Sequence, residues 1–570
     1  MKLATDMKTF FSDWRNLLAL GTLGAIGAWV YSRVWMVNPA ILGDEYLYSI
    51  SARKVGPWDA PPVADFSNYL FNFVYQATNL CGPGFYQCAK VLNLGFFLGF
   101  VLIIFIVAMR FLPFWGAYGF MIATGLSPLS VYTSMFLPES MYFFFIGLVL
   151  LAVLRAIQDF RFQTWALVGI AVGLASLVKP HAWLSAIAIG ITLLVVGLGN
   201  REVGFKKTML SALSLAGAAA AGRLAVGLLI AGPKALGFFG VYFGANVIEE
   251  VVSGPADPAQ PAEGGSSPMA GVIALFGGQL NTHLLSVTAL MSLAMIGLVV
   301  ALIDILRTRE LRPATGFGLF AFIWLVSMMI EIVMFTGWIT GSGDDHTTRV
   351  LLRYYDFLFV IVPLAGLSVL ASQLQEKLNV FVRWGLAVAF GALLTPAFSG
   401  FFGTLTIQIA DAPNLAGLVV NSDVFNAAAL VGIAGVILFA TFPKLTPYAF
   451  VAILPVTLIG TGWQIQDQYQ GFRAELSASD KAGQFINANF SEEEIDRALI
   501  LATSRFDATN VAIWADSSKI SYEMYGPGSQ FDSEMAPENT SFIVTSGDLG
   551  VVGEFVSSIP GDGYTIYLLE

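Results

Sequence analysis

Most of the chain consists of apolar segments about 20 residues long, separated by short polar stretches. Segments of this length and character cross a bilayer as helices. We identify thirteen, which begin near residues 17, 91, 113, 139, 164, 182, 208, 284, 315, 354, 384, 425 and 445. The pattern predicts a mainly α fold, a polytopic membrane helical bundle of about 13 transmembrane helices. Several segments are short or contain Gly and Pro, so twelve or fourteen spans also fit.

Composition agrees with this pattern. Hydrophobic residues make up 56% of the 570 residues and charged residues only 12%, with a mean hydropathy of +0.72. Soluble domains carry about twice that share of charge. The net charge is −10, and the chain has no basic patch, which disfavours a nucleic-acid partner and leaves membrane lipids as the expected surroundings.

Basic residues predict the orientation, because Lys and Arg collect in short cytoplasmic loops. With the N-terminus inside, 15 of the 29 basic residues fall on the cytoplasmic side and 8 on the outer side. The first apolar segment lacks a cleavage site and is typical of a signal anchor. We therefore expect an integral protein of the bacterial inner (plasma) membrane with a cytoplasmic N-terminus and an extracytoplasmic C-terminus.

The segment after residue 464 differs from the rest. It contains 5 basic and 17 acidic residues, a net of −12, so the low pI belongs to this part. Apolar runs in ALILA, VAIWA, FIVTS and YTIYLLE predict strands, DKAGQFINANF a helix, and SSKISYEMYG a turn. We predict a transmembrane domain over 1–464, with long outer loops at 37–90 and 233–283, and a small extracytoplasmic α/β domain over 465–570.

Ionisable residues gather at one predicted face of the membrane. The outer face holds Asp44, Glu45, Glu139, Lys179, His181, His283, Asp344, Asp345, His346, Arg349 and Arg353. Two further groups, Arg223 and Glu331, lie within predicted spans near their outer ends. Charges inside a membrane usually mark function, and transporters concentrate them near the midplane. Because the ionisable residues of this chain collect at one face instead, we predict a site that acts on a substrate held in the outer leaflet.

Each of these residues also has a structural interpretation. Asp44 could cap the short helix EYLYSISARK, and Glu139, after Pro138, could stabilise a helix N-terminus. Lys179 could extend along the membrane surface. Arg349 and Arg353 could pair with Asp345 or Asp356, and Arg223 with Glu331. Cys81 and Cys88, in LCGPGFYQCA, could form a disulfide or remain two inert thiols.

The order of the motifs resembles a known class of enzymes. The first outer loop opens with an acidic pair (GDEYLYS), and the fourth span starts with an acid after Pro (LPESMYFFFIGLVLLAVLRA). A glycine-spaced helix then ends at a basic turn (GIAVGLASLVKPHAWL), and a later span opens with TTRVLLRYYDFLFVIVPL. This series resembles the GT-C class of membrane glycosyltransferases, and is similar to the protein mannosyltransferases and the bacterial aminoarabinose transferase. No WWDYG-type stretch occurs, which disfavours the oligosaccharyltransferase branch.

The resemblance implies sugar transfer, usually with inversion, from a polyprenyl-phosphate sugar donor to a lipid, glycan or protein acceptor in cell-envelope assembly. By the matching motifs Asp44 would be the general base, with Glu45 beside it, and Glu139 the second acid. Lys179, His181 and Arg353 would face the donor phosphate, and His346 and Arg349 would join them. Arg223, Glu331 and Tyr46 would be intramembrane or cavity residues. The acidic pair is DE rather than DxD, which permits a divalent metal (Mg²⁺ or Mn²⁺) without requiring one.

Two other functions fit parts of the pattern. A flippase or transporter of lipid-linked sugars would not need an outer carboxylate cluster or a folded outer tail. A non-catalytic membrane scaffold would present the acidic tail and use Asp44 and Glu139 only as helix caps. Transfer of sugar by the purified protein would separate the three functions.

Overall fold

The structure is a computed structural model of the 570-residue chain. It describes residues 13–39, 44–56, 58–59, 66–200, 202–238, 268–341, 347–546 and 549–569. The mainly α prediction is confirmed, because helices make up most of the described chain and strands occur only after residue 498.

Helices fill the chain up to residue 473. In chain order they are α1 Trp14–Val34, α2 Asp44–Arg53, α3 Tyr69–Tyr75, α4 Phe85–Ala108, α5 Phe114–Gly125, α6 Glu139–Gln158, α7 Phe162–Val178, α8 Ala182–Gly199, α9 Gly204–Ala231, α10 Pro268–Thr308, α11 Pro313–Gly341, α12 Leu358–Ala371, α13 Val380–Phe398, α14 Pro413–Val419, α15 Ser422–Thr441, α16 Thr446–Leu454 and α17 Thr461–Arg473. Short 3₁₀ turns connect several of them, among them Gln76–Gly84, Pro128–Ser134 and Leu352–Tyr354.

Ten helical stretches of the described chain are long and apolar enough to cross a membrane. Each matches one of the thirteen predicted segments, and the chain is an integral membrane protein. The other three segments form α5, α7 and α12, which have only 12, 17 and 14 residues. The count of thirteen spans is therefore not confirmed. The predicted orientation stays a prediction.

Close packing of α7 against α9 fixes the turn that carries Lys179. A Cβ atom added to Gly169 would lie 2.3 Å from the carbonyl oxygen of Leu215, and one added to Gly173 would lie 2.4 Å from that of Ala219. Only glycine permits two backbones to approach this closely, and the i, i+4 spacing places both glycines on one helix face. Helix α7 therefore ends at Val178 in a fixed position.

The C-terminal region contains three helices, α18 Ala478–Asn489, α19 Glu492–Asp496 and α20 Arg505–Ala515, and seven strands. The strands are β1 Leu499–Ala502, β2 Ser521–Met524, β3 Gln530–Asp532, β4 Phe542–Ser546, β5 Gly550–Val552, β6 Ser557–Pro560 and β7 Tyr564–Leu568. Five form a mixed sheet in the order β2-β1-β4-β7-β6, in which β1 runs parallel to β2 and β4, and β3 pairs with β5 separately. The predicted mixture of helix and strand is confirmed.

Two details of that prediction are wrong. The run VAIWA lies in helix α20, whose N-cap Ser504 accepts a hydrogen bond from Asp507. A short apolar run fits a buried strand and a buried helix equally well, and here the cap upstream decides for the helix. The SSKISYEMYG stretch, predicted as a turn, contains strand β2.

The C-terminal region contacts the first predicted outer loop. The guanidinium of Arg473, in α17, donates to the carbonyl of Pro39 (2.6 Å) and to both oxygens of Asp480 (2.9 Å each). The hydroxyl of Tyr46 donates to the carbonyl of Ser517 (2.9 Å). Helix α17 continues through residue 465, and the domain boundary there stays a prediction. The loop at 37–90 includes α2 and α3, whereas much of 233–283 lies outside the described residues.

Candidate active site

Asp44 and Arg353 meet from distant parts of the chain. Asp44 is the first residue of α2, and Arg353 lies in the 3₁₀ turn before α12. An Nη of Arg353 donates to Asp44 Oδ2 over 2.5 Å, and the side chains are 11% and 31% exposed, respectively. Asp44 Oδ1 accepts no hydrogen bond from any described residue. This carboxylate thus combines partial exposure, a free oxygen and a neighbouring guanidinium.

A second ion pair, Glu139 with Lys179, lies beside the first but is buried. Glu139 begins α6 after Pro138, and Lys179 ends α7. Lys179 Nζ lies 2.7 Å from Glu139 Oε1, and both side chains are at most 2% exposed. The Nε of Arg353 lies 3.9 Å from the same oxygen. Burial lowers the pKa of Lys179, and the Glu139 carboxylate acts against that shift.

Asp411 joins this cluster, although the sequence analysis did not single it out. Its Oδ2 accepts a hydrogen bond from Arg349 Nε (2.7 Å), and its carbonyl accepts one from the Arg353 backbone N–H (2.6 Å). Its side chain is 2% exposed. Asp411 lies two residues before the helix that begins at Pro413, and an acid close to a proline at a helix start is the signal that could have indicated it.

Arg349 and Arg353 do not pair with Asp356, which was one of their two possible structural partners. Asp356 instead accepts hydrogen bonds from the hydroxyl of Tyr132 (2.6 Å) and the side-chain amide of Asn414 (3.1 Å). Burial raises the pKa of Asp356 to about 7, which these two donors partly oppose. The alternative partner Asp345, like Asp344 and His346, lies outside the described residues.

His181 lies next to the cluster as a neutral ring. Its ring centroid is 4.4 Å from that of Tyr354, and the residue is 6% exposed. Burial, together with the positive charges of Lys179 and Arg353, lowers the pKa of His181 well below its usual range. At neutral pH the ring can therefore contact a phosphate only as a hydrogen-bond donor and not as a cation.

Glu45 and Tyr46 point away from Asp44. Glu45 is fully buried, and its Oε1 accepts from the hydroxyl of Tyr86 (2.9 Å) and the backbone N–H of Phe136 (2.6 Å). These bonds attach α2 to the segment before α6. Tyr46, expected in a cavity, is buried against the C-terminal region. The two residues after Asp44 therefore hold α2 in place.

Arg223 and Glu331 do not form the predicted pair. The Arg223 guanidinium donates to the carbonyl and hydroxyl oxygens of Ser176 (3.0 and 3.2 Å) and to the carbonyl of Gly237 (2.7 Å). No hydrogen bond or ion pair joins these two described side chains. Arg223 thus connects α9 to the end of α7, which carries Lys179.

Cys81 and Cys88 form a disulfide in the structure. It joins the 3₁₀ turn Gln76–Gly84 to the first turn of α4. The bridge lies in the first predicted outer loop and shapes the surface that faces the C-terminal region.

The charges of the cluster leave little room for a metal ion. Among the described residues, no group of three or more His, Cys, Asp or Glu side chains could hold one. The guanidinium of Arg353 lies within 4.0 Å of the carboxylates of Asp44, Glu139 and Asp411. Arg353 thus supplies to these carboxylates the positive charge that a bound cation would otherwise supply. A bound Mg²⁺ or Mn²⁺ stays a prediction.

Comparison with known proteins gives structural similarity without a family match. No protein-family model and no curated protein matches the chain. ArnT from Cupriavidus metallidurans bound to undecaprenyl phosphate is 13% identical with a TM-score of 0.44, covering 97% of each chain. The apo Archaeoglobus fulgidus oligosaccharyltransferase is 11% identical with a TM-score of 0.45, covering 94% of this chain and 70% of its own.

A third similar structure is that of the archaeal oligosaccharyltransferase AglB in complex with an inhibitory peptide and a dolichol-phosphate. It is 11% identical, with a TM-score of 0.45 and coverage of 94% of this chain and 70% of its own. Because one fold supports many functions, and because these identities and scores are low, the function must be argued from the site.

Proposed function

We propose that the protein is a membrane glycosyltransferase that moves a sugar from a polyprenyl-phosphate-linked donor to an acceptor hydroxyl at the outer face of the membrane. The observation that carries the proposal is the contact between a part-exposed carboxylate, Asp44, and a guanidinium, Arg353, beside the buried Lys179. Sugar transfer from a lipid phosphate needs both a base for the acceptor and positive charge for the leaving group. The setting we propose is cell-envelope glycan, glycolipid or glycoprotein assembly.

The reaction would be one displacement at the anomeric carbon. The acceptor oxygen forms a bond to that carbon while the bond to the phosphate oxygen breaks. The acceptor proton passes to Asp44, which acts as general base. The bond electrons leave with the polyprenyl phosphate, whose growing negative charge is stabilised by the Arg353 guanidinium.

Inversion follows from the number of carboxylates available. A retaining double displacement needs a second carboxylate to attack the sugar. Glu139 is 1% exposed and engaged by Lys179, and Glu45 is fully buried and engaged by Tyr86 and Phe136. Asp44 is thus the accessible carboxylate of the described cluster, and one carboxylate supports a single displacement with inversion.

Donor binding would prepare the base. In the structure Arg353 occupies one oxygen of Asp44. A donor phosphate that approaches Arg353 competes for the same guanidinium, because charge-assisted bonds to phosphate are among its strongest. Transfer of the guanidinium to phosphate frees Asp44 Oδ2 for the acceptor hydroxyl. We propose that the donor binds before the acceptor is deprotonated.

The test uses the full chain in lipid nanodiscs, supplied with polyprenyl-phosphate sugars carrying a radiolabelled sugar and with lipid, glycan and protein acceptors. We expect labelled acceptor and an equal amount of released polyprenyl phosphate. Reconstitution in vesicles separates the alternative function. Movement of the lipid-linked sugar across the bilayer without any transfer would overturn the glycosyltransferase proposal in favour of a flippase.

A further inference from the structure

A groove lies where the first outer loop meets the C-terminal region, away from the Asp44 cluster. It has a volume of about 650 Å³ and runs between the C-terminal end of α2, the 3₁₀ turn Gln76–Gly84, and helices α18 and α20. Ligand sites are typically concave, of this volume, and placed between structural units. This groove is formed by two parts of the chain that are far apart in sequence, the first outer loop and the C-terminal region.

An aromatic ring in the groove is held in a fixed orientation. Trp514 is half-buried, and its indole N–H donates to Asp480 Oδ1 over 2.8 Å. Asp480 is itself fixed by two bonds from Arg473. The ring of Phe85 contacts that of Trp514 edge to face, with the centroids 6.3 Å apart, and is covered by the Arg53 guanidinium. A fixed, half-buried indole suits a flat ligand with apolar C–H faces.

Three amide side chains line the same groove as this ring. Asn79 uses its amide nitrogen to bond the carbonyl of Arg53 (2.9 Å), and Asn487 uses its own to bond the carbonyl of Trp514 (2.9 Å). Their carbonyl oxygens stay available as acceptors. Gln484 has no hydrogen-bond partner within the part of the chain that the structure describes. Each amide nitrogen carries two N–H groups, so the groove offers both acceptors and donors from all three amides.

The charged side chains in the groove are already paired. Arg53 donates two hydrogen bonds to Asp516 (2.7 and 3.0 Å), and Lys54 lies 3.3 Å from the same carboxylate and 3.5 Å from Glu492. An anionic ligand would have to separate these pairs, whereas a neutral one would leave them intact. The lining thus favours a neutral, hydroxyl-rich ligand.

We propose that this groove binds a neutral oligosaccharide, the glycan part of an acceptor whose far end reaches Asp44. The acceptor role rests on the proposed function. Helix α2 connects the two places: Asp44 begins it and Arg53 ends it, and nine steps of 1.5 Å separate them by about 14 Å. A single sugar cannot cover that distance, so the acceptor class is a chain of several sugars.

The test measures binding to the full chain in nanodiscs by surface plasmon resonance, without any donor. The probes are maltohexaose, cellohexaose and mannohexaose, with a neutral Ser/Thr hexapeptide for comparison. We expect saturable binding of at least one hexasaccharide and a loss of about tenfold in affinity for Trp514→Ala, because a stacked aromatic ring contributes on that scale. Gln484→Ala, which breaks no hydrogen bond within the described part of the chain, should lower the affinity a few-fold.

Trp115→Ala is the matched control, because Trp115 is a 63% exposed tryptophan on α5, outside the groove. Absence of hexasaccharide binding up to about 10 mM overturns the proposal, as does equal binding by wild type, Trp514→Ala and Gln484→Ala. Binding of the peptide alone, weakened by Trp514→Ala, overturns the choice of glycan. Glycan binding that responds to these variants in a protein without transfer activity would support the groove and refute the transferase.

Discussion

Helix α2 carries an arginine–aspartate pair at each end, and the two pairs leave different groups available. At its N-terminal end, Arg353 donates one hydrogen bond to Asp44, which is 31% exposed. At its C-terminal end, Arg53 donates two hydrogen bonds to Asp516, and Lys54 adds a third contact. The first carboxylate keeps a free oxygen, and the second has both oxygens occupied.

This difference separates a reactive pair from a structural one. A bidentate arginine–carboxylate contact fixes two segments with respect to each other, and here it attaches the C-terminal region to α2. A single contact can be exchanged when a phosphate approaches. The residue types are the same at both ends, so the geometry and not the composition assigns the two roles.

The largest expected effect comes from Asp44→Asn, which removes the charge at the reactive end. A positioned general base contributes about a hundredfold to ten-thousandfold in rate, so transfer at saturating donor should fall by that factor. Thermal stability should fall only slightly, because the Arg353 guanidinium keeps the carboxylates of Glu139 and Asp411 within 4.0 Å. Asp423→Asn, in the exposed first turn of α15, is the matched control. Near-wild-type turnover of Asp44→Asn would show that Asp44 is only a cap.

Arg353→Lys should produce the next largest effect. Lysine keeps the positive charge but loses the planar array of donors that a guanidinium offers to phosphate. The KM for the donor should rise by roughly tenfold to a hundredfold, since a bond to a charged group contributes about 1.5–3 kcal/mol. Arg33→Lys, which changes an arginine paired with the exposed Asp467 over 3.4 Å, should leave the KM unchanged. Equal values for both variants would exclude Arg353 from donor binding.

Asp516→Asn tests the structural pair at the C-terminal end of α2. Loss of this carboxylate leaves Arg53, whose side chain is 4% exposed, without its charged partner. The unfolding free energy should fall by about 2–3 kcal/mol, and limited proteolysis should release the C-terminal region faster. The control is Asp562→Asn, which removes an exposed pair with Lys481 and should leave the unfolding free energy nearly unchanged. If the two variants lose equal stability, the α2 contact does not attach the C-terminal region.

A third carboxylate, Asp356, extends the comparison because its bonds come from neutral groups. Its pKa rises from 3.8 to about 7 in the folded protein, so the folded state holds a proton that the unfolded state releases. Stability should therefore decrease as pH rises from about 4 to 7, by about 2 kcal/mol between pH 5 and 7. Asp356→Asn should remove that slope in thermal unfolding series. A slope that persists in the variant would have to come from another group.

Local patterns in the sequence predicted much of the fold. Long apolar runs identified ten spans that the structure contains, because hydropathy over 20 residues needs no knowledge of distant contacts. Hydropathy also predicted spans at α5, α7 and α12, but these helices have only 12, 17 and 14 residues in the structure. The strands in ALILA, FIVTS and YTIYLLE were predicted from their apolar runs, but VAIWA was not distinguishable from a strand without the cap that precedes it.

The sequence by itself thus determined the membrane-spanning character of the chain and its acidic C-terminal region of helices and strands. It also determined the residue types available for chemistry at the helix ends. Only the tertiary structure decided which charges meet. Asp411 lies 58 residues after Arg353, and its backbone carbonyl accepts a hydrogen bond from the Arg353 backbone N–H. Glu45 is fully buried, whereas the side chain of its neighbour Asp44 is 31% exposed. Pairing of charges depends on distances between segments far apart in sequence, and burial depends on what packs over each side chain. Neither quantity is encoded in a local pattern, so the assignment of Asp44 as accessible and Glu45 as buried had to come from the fold.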